Sequence, residues 1–195
     1  LLALFILASI MRLWGLGFDL PNLYHRDEAY YVRIPLTIIK TGDYNPHFFK
    51  YPTLFFYALS LAYIVYFLFR ASRGLLSTLD GLTLPEYVMP RVVSQATMPS
   101  QYLVGRGVVA LASVLTVLLV YWIGRRAYSR RAGFVAALLP CVCPTHIRNS
   151  HFIAPDVMMI LVVMASFWFS YQVWSRGRRR DYLLAGLLAG LAAST

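Results

Sequence analysis

The sequence predicts an all-α membrane protein that crosses the bilayer several times. Three observations support this fold class. Of the 195 residues, 59% are hydrophobic and only 13% are charged, whereas a soluble domain averages roughly 25% charged residues. The apolar residues form long runs with few charges, as spanning helices require. The basic residues cluster at the ends of these runs, where loops on the cytoplasmic side carry them.

The apolar runs define the expected spans, each needing about 20 mostly apolar residues. We expect spans near residues 1–18, 103–123, 132–147, 156–174 and 182–195. Because the sequence begins and ends inside apolar runs, we expect it to be the N-terminal part of a single transmembrane domain that continues in a longer protein. The net charge of +10 would suggest a nucleic-acid partner in a soluble protein, but membrane topology explains it better here, so no nucleic acid is expected.

Two arginine-rich connections orient the expected spans. The loops "GRRAYSRR" (124–131) and "SRGRRRDY" (175–182) carry four arginines each. Both are short, so the positive-inside rule places both in the cytoplasm. The stretch "THIRNSHFIAPD" (145–156), which lies between them, then faces the other side of the membrane.

The side of the membrane that carries the acidic pair Asp27 and Glu28 depends on the apolar segment 51–69. If that segment crosses the bilayer, Asp27 is cytoplasmic and Asp156 is external. If it lies in the interface or re-enters, both acids are external. Its length favours crossing, but its many Tyr and Phe residues are typical of interfacial helices. The pattern alone leaves both alternatives open. The connection 70–102 is expected to be a loop, with room for one short helix.

Four stretches together carry a family resemblance. They are "HRDEAYY" (25–31), "FFKYP" (48–52), "SHFIAPD" (150–156) and "VGRGVVALASVLTVLLVYWIGRRAYSRRAGFVAALL" (104–139). In this order and spacing they resemble the GT-C superfamily of membrane glycosyltransferases, in its protein O-mannosyltransferase and aminoarabinose transferase branch. The resemblance implies a GT-C-type helix bundle whose first extracytoplasmic loop carries interfacial helices, and it favours the interfacial alternative for residues 51–69.

The resemblance also implies an activity, which is inverting transfer of a sugar to an acceptor hydroxyl on the extracytoplasmic face. The donor would be a polyprenyl-phosphate sugar, the acceptor a protein, lipid or glycan, and the surroundings membrane lipids. Such a transfer needs a carboxylate to activate the hydroxyl and cations to hold the departing phosphate. Asp27 is the candidate base, Glu28 would orient it or the substrate, and Asp156 would support the acceptor. A solvated acid pair at the start of a helix is the alternative explanation for Asp27 and Glu28.

The candidate substrate-binding residues are basic or aromatic. In the resembled family a Lys in the position of Lys50 is associated with the carrier phosphate, although this chain has "KYP" where "KPP" is common. Arg106 is the only charge in its apolar run and would also bind the donor phosphate. His151, Tyr30 and Tyr31 complete the expected substrate site. His25, His151 and the acids could bind a divalent ion, but their spacing matches no metal signature, so no metal ligand is assigned.

A different class of function stays open from the sequence alone. A polytopic transporter, or a membrane assembly component without catalysis, would share this composition. Transporters place charged residues within their spans, near the middle of the bilayer. Here the acids lie in the loops, which favours chemistry at the membrane surface.

Overall fold

A computed structural model describes residues 1–25, 27–85, 94–96 and 98–195, with the backbone alone at residues 94 and 95. Almost all regular structure in these residues is helical, which confirms the all-α prediction. The helices are α1 (Leu2–Leu13), α2 (Glu28–Thr41), α3 (Leu54–Ser72), α4 (Pro99–Ala127), α5 (Arg130–Val142), α6 (Pro144–Asn149), α7 (Pro155–Arg176) and α8 (Arg179–Ala193). A 3-10 turn spans Leu79–Gly81. Two short strands, β1 (Asn22–Leu23) and β2 (Ser94–Gln95), pair antiparallel.

Proline and glycine set several helix ends. Pro155 occupies the first turn of α7, where its missing N–H has no helical partner to lose. Gly177 ends the same helix in the left-handed conformation, with φ at 60° and its N–H bonded to the carbonyl oxygen of Val173. The expected span 132–147 is divided at Cys143, whose extended backbone is typical of a residue before proline.

Three helices in the described residues are long and apolar enough to cross a membrane, namely α3, α4 and α7. They differ in burial, because half of the apolar window of α4 is buried inside the bundle and only 11% of that of α7. Helix α4 is therefore the central helix. Helix α1 is shorter but equally apolar. Of the expected loop 70–102, residues 86–93 and 97 lie outside the described residues.

The helices around α4 place different kinds of residue at its two ends. Arginines lie at and just after the C-terminal ends of α4 and α7. Near these ends the hydroxyl of Tyr171 in α7 donates to the carbonyl oxygen of Arg126 in α4 at 3.2 Å. This arginine end contains Arg125, Arg126, Arg130, Arg131, Arg176, Arg178, Arg179 and Arg180. The opposite end, where α4 and α7 begin, contains the start of α2.

Two apolar cores lie along α4. One surrounds its first half and includes Tyr31, Phe56 and Tyr63 from α2 and α3. The other surrounds its second half and is built with α1 and α5, including Leu4 and Ala137. Helix α5 packs very closely there, because a Cβ added to Gly133 would lie 2.6 Å from backbone atoms of α4.

Candidate active site

The acidic pair of the sequence lies where α2 begins. Asp27 is the N-cap residue of α2 and Glu28 is its first helical residue. Glu28 is fully buried. Its two carboxylate oxygens accept hydrogen bonds from Nε and Nη2 of Arg106 at 2.9 and 2.6 Å. One of these oxygens also accepts from the backbone N–H of Ile153 at 2.8 Å. Glu28 therefore fixes the start of α2 against α4 and the segment that leads into α7.

Arg106 is as completely buried as its partner. Its Nη1 donates to the carbonyl oxygen of Leu16 at 2.8 Å. The same nitrogen lies 2.7 Å from Oδ1 of Asp19, an ion pair without a well-aligned hydrogen bond. Each guanidinium nitrogen thus has a protein partner, and one positive charge faces two negative ones. Sequence reasoning did not single out Asp19, although a lone acid at the end of the first apolar run was a usable signal.

Asp27, next to Glu28, has a different environment. Its side chain is half-buried and makes no capping hydrogen bond to the helix that follows. No described residue forms a hydrogen bond or ion pair with its carboxylate. The two adjacent acids therefore differ: Glu28 is bound to an arginine, and Asp27 is half-buried without such a partner among the described residues.

The phenol of Tyr31 is influenced by both Asp27 and Asp156. Burial raises the pKa of the Tyr31 phenol, and Tyr51 and the negative charges of Asp27 and Asp156 raise the pKa further. Both carboxylates thus lie within electrostatic reach of one hydroxyl. Asp156 is exposed in the first turn of α7, where the helix dipole favours an acid.

Among the aromatic and basic residues expected at the site, Lys50 lies in the loop between α2 and α3, and Tyr30 and Tyr31 lie in α2. The exposed Lys50 has its Nζ 5.5 Å from the ring centroid of Tyr51. The rings of Tyr51 and Tyr31 are 5.8 Å apart. Tyr30 stacks on Phe48 at 5.4 Å. Ring contacts therefore connect Tyr51, the neighbour of Lys50, with the buried Tyr31.

His151 lies between α6 and the end of α1. Its Nδ1 is 2.8 Å from the carbonyl oxygen of Ile147, and its Nε2 is 2.9 Å from that of Trp14. In the part of the chain that the structure describes, no group of three or more His, Cys, Asp or Glu side chains is arranged to hold a metal ion.

A second buried arginine was not anticipated as a site residue. Arg12, at the end of α1, is fully buried. Its guanidinium donates to the carbonyl oxygens of Pro140 and Cys141 at 2.8 and 3.1 Å, and Nη2 is 2.9 Å from Nδ1 of His146. Backbone carbonyls carry no sequence signal, so the pattern of residue types could not reveal these partners.

These features define a class of protein, an integral membrane protein with an acidic site at one end of an apolar helix bundle. Residues 96–195 match the family model described as dolichyl-phosphate-mannose-protein mannosyltransferase. The match covers just over half of the chain, and the chain belongs to this family. It is therefore a mannosyltransferase-like membrane glycosyltransferase, which confirms the GT-C resemblance. The matched range includes Arg106, His151 and Asp156, whereas Asp27, Glu28 and Lys50 precede it. No curated protein and no solved structure showed significant similarity to the chain.

Proposed function

We propose that the protein transfers a sugar from a polyprenyl-phosphate donor to an acceptor hydroxyl on the extracytoplasmic side of the membrane. The observation that carries this proposal is the unequal pairing of the two adjacent acids. Glu28 is bound by Arg106 on both oxygens, whereas no described residue pairs with Asp27. A carboxylate that is half-buried and unpaired at a membrane face is suited to accept a proton from a substrate.

In the proposed reaction, Asp27 accepts the proton of the acceptor hydroxyl as that oxygen attacks the anomeric carbon. The bond between this carbon and the phosphate oxygen breaks, and the prenyl phosphate leaves with the bonding electrons. Attack opposite the leaving group inverts the anomeric configuration. Lys50 would contact the phosphate, and Asp156 would support the acceptor beside Tyr31. Tyr30 would line the sugar path through its stack with Phe48.

Arg106 is better suited to positioning than to direct contact with the donor. All three of its nitrogens contact Glu28, Asp19 or a backbone carbonyl. The prediction that Arg106 binds the donor phosphate stays untested. We propose instead that the Arg106–Glu28 pair holds the start of α2, and that this fixes the direction in which Asp27 points.

The test is turnover by the full-length protein with a panel of polyprenyl-phosphate sugars. Asp27→Asn should lower the turnover rate by about 10²- to 10⁴-fold, because losing a general base has that effect. Donor binding and thermal unfolding should stay near those of the unchanged protein. Asp80→Asn is the matched control, since Asp80 is an exposed acid outside the pair. Near-normal turnover of Asp27→Asn would reject Asp27 as the base. Retention of the donor's anomeric configuration in the product would reject the inverting mechanism.

The proposed extracytoplasmic site requires that α3 does not cross the membrane. The contacts of α3 with α4 support this arrangement, because they lie at the first turns of α4. The hydroxyl of Tyr66 is 2.8 Å from Oγ of Ser100, and the hydroxyl of Tyr63 would lie 3.0 Å from a Cβ added to Gly105. Helix α3 thus packs at the end of the bundle that carries Asp27, opposite the arginine end.

Labelling with an impermeant thiol reagent tests this topology. Single cysteines are placed at positions 43 and 78, one on each side of α3, in a background without Cys141 and Cys143. Both should react from outside, whereas cysteines at 128 and 178 should react only after permeabilisation. If only one of positions 43 and 78 reacts from outside, α3 crosses the bilayer. Asp27 and Asp156 would then lie on opposite faces of the membrane, and the proposed site would be wrong.

A further inference from the structure

An open pocket of about 260 Å³ lies beside the acidic pair, between the end of α1 and the connection from α6 to α7. It is lined by Trp14, Gly15, Phe18, Arg148, His151 and Phe152. The proposed reaction assigns no step to any of these residues, although the sequence predicts that His151 belongs to the substrate site. The lining combines large aromatic surfaces with two basic side chains.

His151 contributes a fixed imidazole ring to this pocket. Both of its ring nitrogens lie within 2.9 Å of backbone carbonyl oxygens. These contacts hold the ring at the wall of the pocket.

Arg148 contributes a cation to the pocket. It lies in the last turn of α6 and is exposed. Within the described residues, its guanidinium has no hydrogen-bond or ion-pair partner. This contrasts with Arg106, whose nitrogens are all occupied. A guanidinium presents a planar fork of donors that matches the oxygens of a phosphate.

The remaining walls are apolar. The indole of Trp14 is 83% exposed, and Phe18 meets Phe152 edge to face at 5.7 Å. Tryptophan is enriched at the level of the lipid headgroups. A molecule that fits this lining carries a phosphate near Arg148 and an aliphatic chain along Trp14 and Phe18.

Two contacts connect the pocket to the acidic pair. The ring of Phe152 lies 4.9 Å from that of His25, two residues before Asp27. The backbone N–H of Ile153, the next residue, donates to Glu28. A lipid phosphate held in the pocket would therefore lie close to the candidate base. The donor must bind close to this base, whereas an ordinary membrane lipid has no such requirement.

We propose that this pocket binds the phosphate and the first prenyl units of the donor, with Arg148 contacting the phosphate and Trp14 and Phe18 contacting the prenyl chain. The proposal rests on the proposed function. A phosphodiester has two unesterified oxygens, so Arg148 can contact one of them and leave the other for a second cation, for which Lys50 is the candidate. When the bond to the sugar breaks, the phosphate gains negative charge, and both cations stabilise that charge.

The test measures binding of a fluorescent polyprenyl phosphate, which carries no sugar, to the full-length protein in phosphatidylcholine nanodiscs. Arg148→Gln should weaken binding about ten- to hundredfold, the range expected for a charge-assisted hydrogen bond. Arg148→Lys should restore part of the affinity. Arg178→Gln, an exposed arginine at the opposite end of the bundle, is the matched control and should bind normally. In turnover assays Arg148→Gln should raise the KM for the donor more than it lowers kcat.

Other outcomes would overturn the inference or separate it from the proposed function. Unchanged affinity in Arg148→Gln would show that the pocket does not hold the phosphate. Displacement of the probe by phosphatidylglycerol at equal concentration would identify a general site for anionic lipids and overturn the assignment to the donor. Normal turnover of Asp27→Asn together with weak binding by Arg148→Gln would reject the proposed base while supporting the pocket.

Discussion

Two fully buried arginines lie at the central helix, and their polar partners differ. Arg106 belongs to the first half of α4 and faces the carboxylates of Glu28 and Asp19. Arg12 reaches the middle of α4 from α1, where its Nε donates to Oγ of Ser113. Its other partners are backbone carbonyls and His146. Arg106 thus connects distant segments through opposite charges, whereas Arg12 satisfies carbonyl groups at the end of a helix.

The Arg12 contacts have a simple structural cause. Helix α5 ends at Val142, before Cys143 and Pro144, and the last carbonyls of a helix lack helical partners. Those of Pro140 and Cys141 receive the Arg12 guanidinium instead. A cation is also favoured at this end of a helix by the dipole. Buried charge in this bundle therefore has two uses, one that positions the candidate site and one that completes a short helix.

The largest expected effect comes from breaking the carboxylate cluster. Arg106→Gln leaves two buried acids without their cation, and removal of one partner of a buried pair costs about 3–5 kcal/mol. Thermal unfolding in detergent or nanodiscs should show a clear fall in midpoint, and turnover should fall because α2 is no longer held.

The double variant Arg106→Gln with Glu28→Gln sharpens this test. It removes one of the two unpaired charges, so it should be more stable than Arg106→Gln alone, with a coupling of about 0.5–3 kcal/mol. Additive losses in stability would contradict the direct coupling that the 2.6 Å contact implies.

Arg12→Met should have a smaller effect than Arg106→Gln. The substitution keeps an unbranched side chain and leaves no carboxylate unpaired. It leaves the carbonyls of Pro140 and Cys141 without their donor, and an unsatisfied buried group costs about 1–3 kcal/mol. Thermal unfolding should therefore drop less, and donor binding should stay normal. A loss of stability equal to that of Arg106→Gln would contradict this expectation, because the two arginines would then stabilise the bundle equally.

The sequence predicted the fold class more completely than it predicted these contacts. Apolar runs and terminal arginines were sufficient for an all-α membrane bundle, because the bilayer imposes them on any such chain. The lone charge of Arg106 in an apolar run showed that it needs a partner, but periodicity could not choose among the acids of the first loop.

The division between Asp27 and Glu28 depended on a single-residue boundary. Neighbouring helical residues point about 100° apart, so the first residue of α2 decides which of the two acids is buried. That boundary is set by tertiary contacts, including the pairing of Glu28 with Arg106, 78 positions away in the sequence. Local pattern does not contain this information.

The smallest expected effect concerns an exposed charge pair, which gives the surface counterpart of the two buried arginines. Asp43 and His47 follow α2, with their side chains 53% and 69% exposed and 2.7 Å between Oδ2 and Nε2. The hydrogen bond from His47 lowers the pKa of Asp43, and the backbone N–H of Asn45 lowers it further. A lowered pKa in the folded state stabilises the protein above the unfolded pKa of about 3.9, and this contribution is lost as the pH falls through the folded pKa.

Asp43→Asn should therefore change the unfolding midpoint only slightly at neutral pH, because exposed ion pairs contribute little and salt screens them. The difference between this variant and the unchanged protein should shrink as the pH falls from the unfolded value of about 3.9 through the lowered folded pKa of Asp43, where Asp43 of the unchanged protein also becomes neutral. His47→Gln is the control that removes the partner and keeps the acid. A loss of stability comparable to that of Arg12→Met would show that this loop is as strongly coupled to the bundle as the buried arginines are.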